Sequence, residues 1–158
     1  MMIRAVLTAI LAALSAHPAS AQTLAAPKAG AAESPAVQRA VDRIDARGGF
    51  VVRDRDGSIA EVSLARTWAT DEDLSYVADI PTVKRLDLSF TLITDKGVKE
   101  LEQLRQLEEL NLETAEALTD ASMNYVKNIP TLRKLNVRGV DITDVGMPAI
   151  AQMTSTAS

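Results

Sequence analysis

The sequence of 158 residues contains no cysteine and a single histidine, His17. Without cysteine the chain has no disulfide staple, no thiol nucleophile, no thiolate metal ligand and no cysteine-linked lipid anchor. The scarcity of histidine matters more once the first residues are read. Arg4 precedes an apolar run over residues 5–14, and Ala19-Ser20-Ala21 supplies the small-x-small pattern of a cleavage site. That run is too short to cross a bilayer, so residues 1–21 read as a removable secretory signal. Cleavage would take His17 with it, leaving a chain without the commonest general base and without the usual zinc ligands. Basic clusters are also lacking. From residue 22 onward the chain carries 16 basic against 21 acidic residues. Nucleic acid and anionic membrane surfaces are poor partners for such a balance. An enzyme built from this chain would depend on carboxylates, Lys, Ser, Thr or Tyr, and no cofactor or metal is expected.

What the chain does have is internal repetition. Ile80-Pro-Thr-Val-Lys-Arg-Leu-Asp-Leu-Ser-Phe-Thr-Leu-Ile-Thr-Asp-Lys-Gly-Val98 recurs 49 residues later, from Ile129 to Met147, with eight of nineteen positions identical. A copy lies between them, Leu107-Glu-Glu-Leu-Asn-Leu112 followed by Leu118-Thr-Asp120. A weaker one lies upstream, Ile59-Ala-Glu-Val-Ser-Leu64 followed by Ala69-Thr-Asp71. The four Thr-Asp pairs begin at residues 70, 94, 119 and 143, a period of 24 with one inserted residue in the third unit. A fixed period of this length decides the architecture before any local propensity does.

Each unit has the same grammar. A short strand carries two aliphatics one residue apart: Val62/Leu64, Leu86/Leu88, Leu110/Leu112 and Leu135/Val137. Alternation places these on one face and their neighbours on the other. A turn and another aliphatic lead to Thr-Asp, where Thr is expected to cap a helix and Asp to favour its dipole. Thr70-x-x-Asp73 approximates a capping box. Apolar stripes then follow at Leu74/Val77, Val98/Leu101/Leu104, Met123/Val126 and Met147/Ile150, with Pro81 and Pro130 stopping two of the helices. Strand and helix in constant order predict a parallel sheet with helices on its other side.

The flanks differ. Residues 22–35 are rich in Ala and Pro and read as a tether. Ser34-Pro35 starts a helix carrying the stripe Val37, Ala40, Val41, Ile44, which Gly48-Gly49 ends. Residues 50–53 and 59–64 form a hairpin through Asp54-Arg-Asp-Gly57, since a calcium loop laid over this turn would put Val52 at its first ligand position and Ser63 at its closing one, both wrong. Helix and hairpin, residues 36–58, would cap the open face of the array formed by residues 59–153. Pro148 should shorten the last helix, and the tail 154–158 cannot cover an apolar face.

Leu-x-x-Leu-x-Leu-x-x-Thr-x-Ile-Thr-Asp-x-Gly-Val, best matched by residues 83–98, resembles the leucine-rich repeat. It is most similar to the Thr-Asp variant of cysteine-containing, F-box-like repeats and of exported bacterial leucine-rich-repeat proteins. The resemblance covers roughly residues 36–153. It implies a short α/β solenoid of four units, with a concave parallel sheet, convex helices and a protein-binding role, in an exported, periplasmic or secreted bacterial protein. At the family's ladder position Thr67 and Thr91 fit, whereas Ala115 and Val140 depart, which implies less regular third and fourth turns. Without an F-box segment no ubiquitin role is carried over.

The candidate protein-binding residues follow from this arrangement. Glu61 and Ser63, Arg85 and Asp87, Glu109 and Asn111, and Lys134 and Asn136 are expected on the concave face. The first of each pair alternates in sign, so either a ladder aligning the sheet or a polar binding floor would result. Arg66, Trp68 and Phe90 stand at the turns, where the two aromatics are either interface anchors or covered by a neighbouring loop. The strand at 133–138 is expected at an uncovered edge, with Arg133, Lys134 and Arg138 either blocking it or leaving it open to weak self-association. The alternative function is then an envelope subunit assembling through that edge, the chain otherwise being a monomer. A hydrolase would need Asp87 paired with Glu109 or Glu61 in a dry pocket. The flat, charge-balanced sheet gives little reason to expect one, and the chain reads as a non-enzyme.

Overall fold

The computed structural model describes residues 34–143. The expected signal at 1–21, nearly all of the tether, the stripe Met147/Ile150 with Pro148, and the tail 154–158 lie outside the described residues. Helix α1, Pro35–Ala46, begins where the sequence places it: Ser34 Oγ accepts the Val37 N–H at 3.3 Å. Its stripe of Ala40, Val41 and Ile44 is buried, and the helix closes at Gly48, whose φ is +81°. Strands β1, Phe50–Arg53, and β2, Ile59–Ser63, form the antiparallel hairpin, with a register shift between Val52 and Arg53. In its turn Asp54 O accepts the Gly57 N–H at 3.0 Å, while the Asp54 and Asp56 carboxylates engage Lys84 and Ser58.

From there strand and helix alternate. Helix α2 is Asp71–Ala78, β3 is Arg85–Asp87, and α3 is Asp95–Glu100, which tightens into a 3-10 turn over Leu101–Gln103. Strand β4, Glu109–Asn111, helix α4, Asp120–Val126, and strand β5, Lys134–Asn136, complete the described residues. The strands lie in the order β1-β2-β3-β4-β5, with every pair after the hairpin parallel and matched repeat for repeat: Glu61↔Arg85↔Glu109↔Lys134 and Ser63↔Asp87↔Asn111↔Asn136. Helix packs on helix in the same sequence, α1 on α2, α2 on α3, α3 on α4.

The core between sheet and helices is aliphatic. Val62, Leu64, Leu86, Leu88, Leu110 and Leu112 from the strands meet Leu74, Val77, Val98, Leu101, Met123 and Val126 from the helices, all buried. Each such side chain contributes roughly 1.5–3 kcal/mol on leaving water. Leu135 and Val137, in the last described strand, are only partly buried. Two recurring threonines stitch the returns. Thr82 Oγ1 donates to Ile59 O and Thr131 Oγ1 to Leu107 O, both at 2.8 Å, which explains why Ile-Pro-Thr recurs.

The Asp of each Thr-Asp pair does more than sit at its own helix start. Asp71 accepts the N–H and hydroxyl of Thr94, Asp95 those of Thr119, and Asp120 those of Thr143. Thr94 and Thr119 also cap their own helices, as expected. At the start of the array Thr70 has no preceding Asp. There the Asp73 carboxylate accepts the Thr70 N–H at 2.9 Å and receives Arg43 of α1 and Arg47 just after it. The cap is thus held by charge as well as by apolar contact.

At Ala115 and Val140 the turns keep the backbone bond of the earlier units, although the third turn carries the inserted residue. Ala115 N–H donates to Leu112 O and Val140 N–H to Val137 O, repeating the Thr67-to-Leu64 bond. Only the hydroxyl bonds of Thr67 and Thr91 to Leu64 O and Leu88 O, at 2.7 Å, are missing from the later turns. The buried Ala115 methyl fills the space instead. Strand β1 forms the other edge of the described sheet.

Candidate functional site: the outer sheet face and its rim

The polar row of the outer sheet face is largely committed to the protein itself. Ser63 Oγ, Asp87 Oδ1, Asn111 Oδ1 and Asn136 Oδ1 each accept the N–H two residues on, at 2.9–3.4 Å. These side chains end their strands by imitating a backbone turn. Asn111 also donates to Asp87 at 3.0 Å and Asn136 to Glu113 at 3.3 Å. Ser63 is buried, so it is no part of an accessible floor; β1 brings Phe50 opposite it.

The charged row forms two pairs. Arg85 gives Nε and Nη2 to Glu61, both at 2.9 Å, and Lys134 Nζ lies 2.7 Å from Glu109. Lys84, from the return before β3, lies 3.0 Å from Asp54 of the hairpin. All are solvent-exposed or partly so, and water and salt screen such pairs, which contribute little to stability. Asp87, Glu61 and Glu109 thus each have a protein partner, which gives no support to the paired-carboxylate arrangement a hydrolase would need. Among the described residues no group of three or more His, Cys, Asp or Glu is placed to hold a metal ion.

The turns after the strands are more informative. Arg66, Phe90, Thr114 and Gly139 occupy one equivalent position in successive units and all have positive φ, at 58°, 56°, 55° and 72°. Only Gly139 is free of the steric cost there; the αL region is unfavourable for the others by roughly 1–2 kcal/mol each. The conformation turns each side chain outward at the carboxyl ends of the parallel strands. The Arg66 guanidinium lies over the Phe90 ring, 4.4 Å from its centroid. Two residues on, Trp68 is 76% exposed and Leu92 55%, and Phe90 itself is 40% exposed. No loop among the described residues covers the two aromatics.

Phe50 joins them. Because β1 runs antiparallel, its first residue lies beside Ser63, at the same end of the sheet as these turns, and Phe50 is 53% exposed with Val52 behind it. The sequence signal for this was the hairpin register, which carries Phe50 and Val52 to the outer face while Val51 packs inward. The chain contains two Phe and one Trp in all, and every one of them is exposed at this rim. Arg138 stands exposed at the last turn.

The family model described as a leucine-rich repeat matches residues 80–101 and 128–151, the two most alike units. The chain carries leucine-rich repeats. No curated protein matches it. Leucine-rich repeats generally mediate protein–protein interaction and are typically non-enzymatic. What such repeats bind is decided by residues outside the consensus.

Proposed function

We propose that the chain is an exported protein-binding module, a short leucine-rich-repeat solenoid that engages its partner through the concave face and, above all, through the rim at the carboxyl ends of its strands. The observation that carries this reading is the placement of Phe50, Trp68 and Phe90 in solvent while the core is filled by aliphatics. A stable monomer gains nothing from exposing its largest apolar side chains together, and Trp and Phe with a neighbouring Arg are the residues from which interface anchors are built. The paired charges of the sheet face would surround such anchors as a polar border. The basic residue and short apolar run at 4–14, with small residues at 19–21, support export.

The test expresses the chain with its own residues 1–21 and takes the product from the envelope or secreted fraction. N-terminal sequencing should begin at Gln22. Crosslinking and capture should then recover a protein with the wild type and lose it with Trp68→Ala/Phe90→Ala, the two chains having matching circular dichroism. An uncleaved product in that fraction would make residues 1–21 an anchor, and absence of the chain from the fraction would overturn the export reading. Equal capture by both chains would overturn the rim reading, and recovery of the chain alone would favour assembly through a sheet edge.

A further inference from the structure

The rim does not end at Phe90. A shallow open groove of about 430 Å³ lies beside it, lined by Phe90, Thr91, Leu92, Thr114, Glu116 and Ala117. Its walls are the side chain of one αL residue, Phe90, and the turn of the next unit, which the inserted residue lengthens. Phe90 and Leu92 supply exposed apolar surface, and the Thr91 hydroxyl is taken by Leu88 O. Glu116 is exposed, and among the described residues no Lys or Arg pairs with it. This distinguishes the groove from the hollow between β4 and β5, where Glu109 is neutralised by Lys134 at 2.7 Å. The two ends of the groove differ in sign. Arg66 lies over the Phe90 ring from the preceding unit, and Glu116 stands in the following one.

We propose that this groove receives an extended segment of another protein in which an apolar side chain seats against Phe90 and Leu92 and an adjacent Lys or Arg reaches Glu116. The assignment rests on the rim being the binding surface and adds to it a partner chemistry and a direction. Strands of successive units lie about 4.8 Å apart, so groove and carboxylate are within the reach of neighbouring residues of one extended chain. Arg66 repels a cation at the opposite end, so the basic residue is accepted on one side only. A single apolar contact and one exposed ion pair make a weak site, and the whole rim would be needed for stable capture.

The experiment uses the isotope-labelled chain and three blocked hexapeptides, Gly-Ser-Leu-Lys-Ser-Gly and the versions with Leu replaced by Ser or Lys replaced by Glu. The Leu-Lys peptide is expected to shift the amide signals of Leu92, Thr114 and Glu116, more than either replacement does. Glu116→Lys, at an exposed position, should weaken that peptide about fivefold and favour the Leu-Glu peptide instead. The preference should shrink in high salt. Equal binding of the Leu-Lys and Leu-Glu peptides, an unchanged preference in Glu116→Lys, or shifts at residues away from the groove would overturn the proposal. If Trp68→Ala/Phe90→Ala abolishes partner capture while Glu116→Lys leaves the peptide preference untouched, the rim reading stands and the groove assignment falls.

Discussion

Asp71 accepts two hydrogen bonds from Thr94, one from its backbone N–H at 2.7 Å and one from its hydroxyl at 2.6 Å. The two residues belong to successive repeats, so the N-terminus of each helix is tied to the start of the one before it. The arrangement is repeated by Asp95 and Thr119, at 2.9 and 2.7 Å, and by Asp120 and Thr143. Stacked units of a repeat protein derive their cooperativity from nearest-neighbour terms, and this bidentate contact is one that recurs at every described junction after the cap.

Asp95→Ala should therefore cost more than the loss of an exposed carboxylate. It removes both bonds to the exposed Thr119, a net loss of about 0.5–1.5 kcal/mol for each. Urea unfolding should show a lower midpoint. Thr119→Val should lose part of this and Thr119→Ser little, since Ser keeps both donors. Equal stability of all three variants would show that water replaces the carboxylate without penalty.

Gly97 lies where a larger residue has no room. A Cβ built there would stand 2.5 Å from Asp71 Oδ1 and 2.9 Å from Leu74 Cδ1. Gly97→Ala is expected to destabilise by about 1–3 kcal/mol through forced displacement of α3 from α2. The same displacement would loosen Asp71 from Thr94, so Gly97→Ala and Asp71→Ala should be less than additive in a double-mutant cycle.

The cap should respond to acid. Burial by itself would raise the Asp73 carboxyl, but the Thr70 N–H and the Arg47 and Arg43 guanidiniums outweigh it and hold its pKa below the ordinary carboxylate value. A depressed folded-state pKa contributes stability that is full above the unfolded value, near about 3.9, and is lost as pH falls through the folded one. Stability measured by urea titration should fall in that acidic window. Asp73→Asn should flatten part of the slope. Asp54 and Asp56, lowered by their bonds to Lys84 and Ser58, account for a further part. A slope unchanged by Asp73→Asn would place the acid sensitivity elsewhere.

Much of this order was legible in the sequence. The pairs of aliphatics one residue apart gave both the inward face and the register, because identical spacing in each unit leaves one way to align parallel strands. Trp68 stood out because a position that accepts Asp141 in another unit is not a core position, and Phe90 because it follows its strand at an outward-looking turn. The Asp71–Thr94 contact was hidden, since a carboxylate at a helix start has a sufficient local explanation in the dipole and its real acceptor role spans 23 residues. The αL column was equally hidden. Of Arg66, Phe90, Thr114 and Gly139 only the glycine advertises positive φ, and three non-glycine residues are held there by the turn bonds around them.

That column yields paired expectations of opposite sign. Gly139 has φ +72°, and a Cβ there would also come within 3.1 Å of Thr114 Oγ1. Gly139→Ala should lower stability by about 1 kcal/mol. Thr114→Gly should raise it by a few tenths to about 1 kcal/mol, relief of a β-branched residue at φ +55° being partly offset by the entropy of glycine. Thermal melts of the two variants that moved in the same direction would mean that side-chain contacts, not backbone strain, govern the turns.

Phe90 sits in the same strained position, and its ring is the one over which Arg66 lies at 4.4 Å. A strained residue that persists in a stable fold is either tolerated or useful, and the two cases separate experimentally. Phe90→Gly removes the strain together with the ring, so thermal stability should change by no more than about 1 kcal/mol, cation–π loss and strain relief opposing one another. Trp68→Ala, at a side chain 76% exposed, should stay within about 0.5 kcal/mol of wild type. Capture of a partner, in contrast, should weaken at least tenfold for either variant if the rim is the anchor. Stability retained with capture lost would make the strain at Phe90 a means of presenting its ring to a partner. A large loss of stability from either substitution would instead make these aromatics part of the fold.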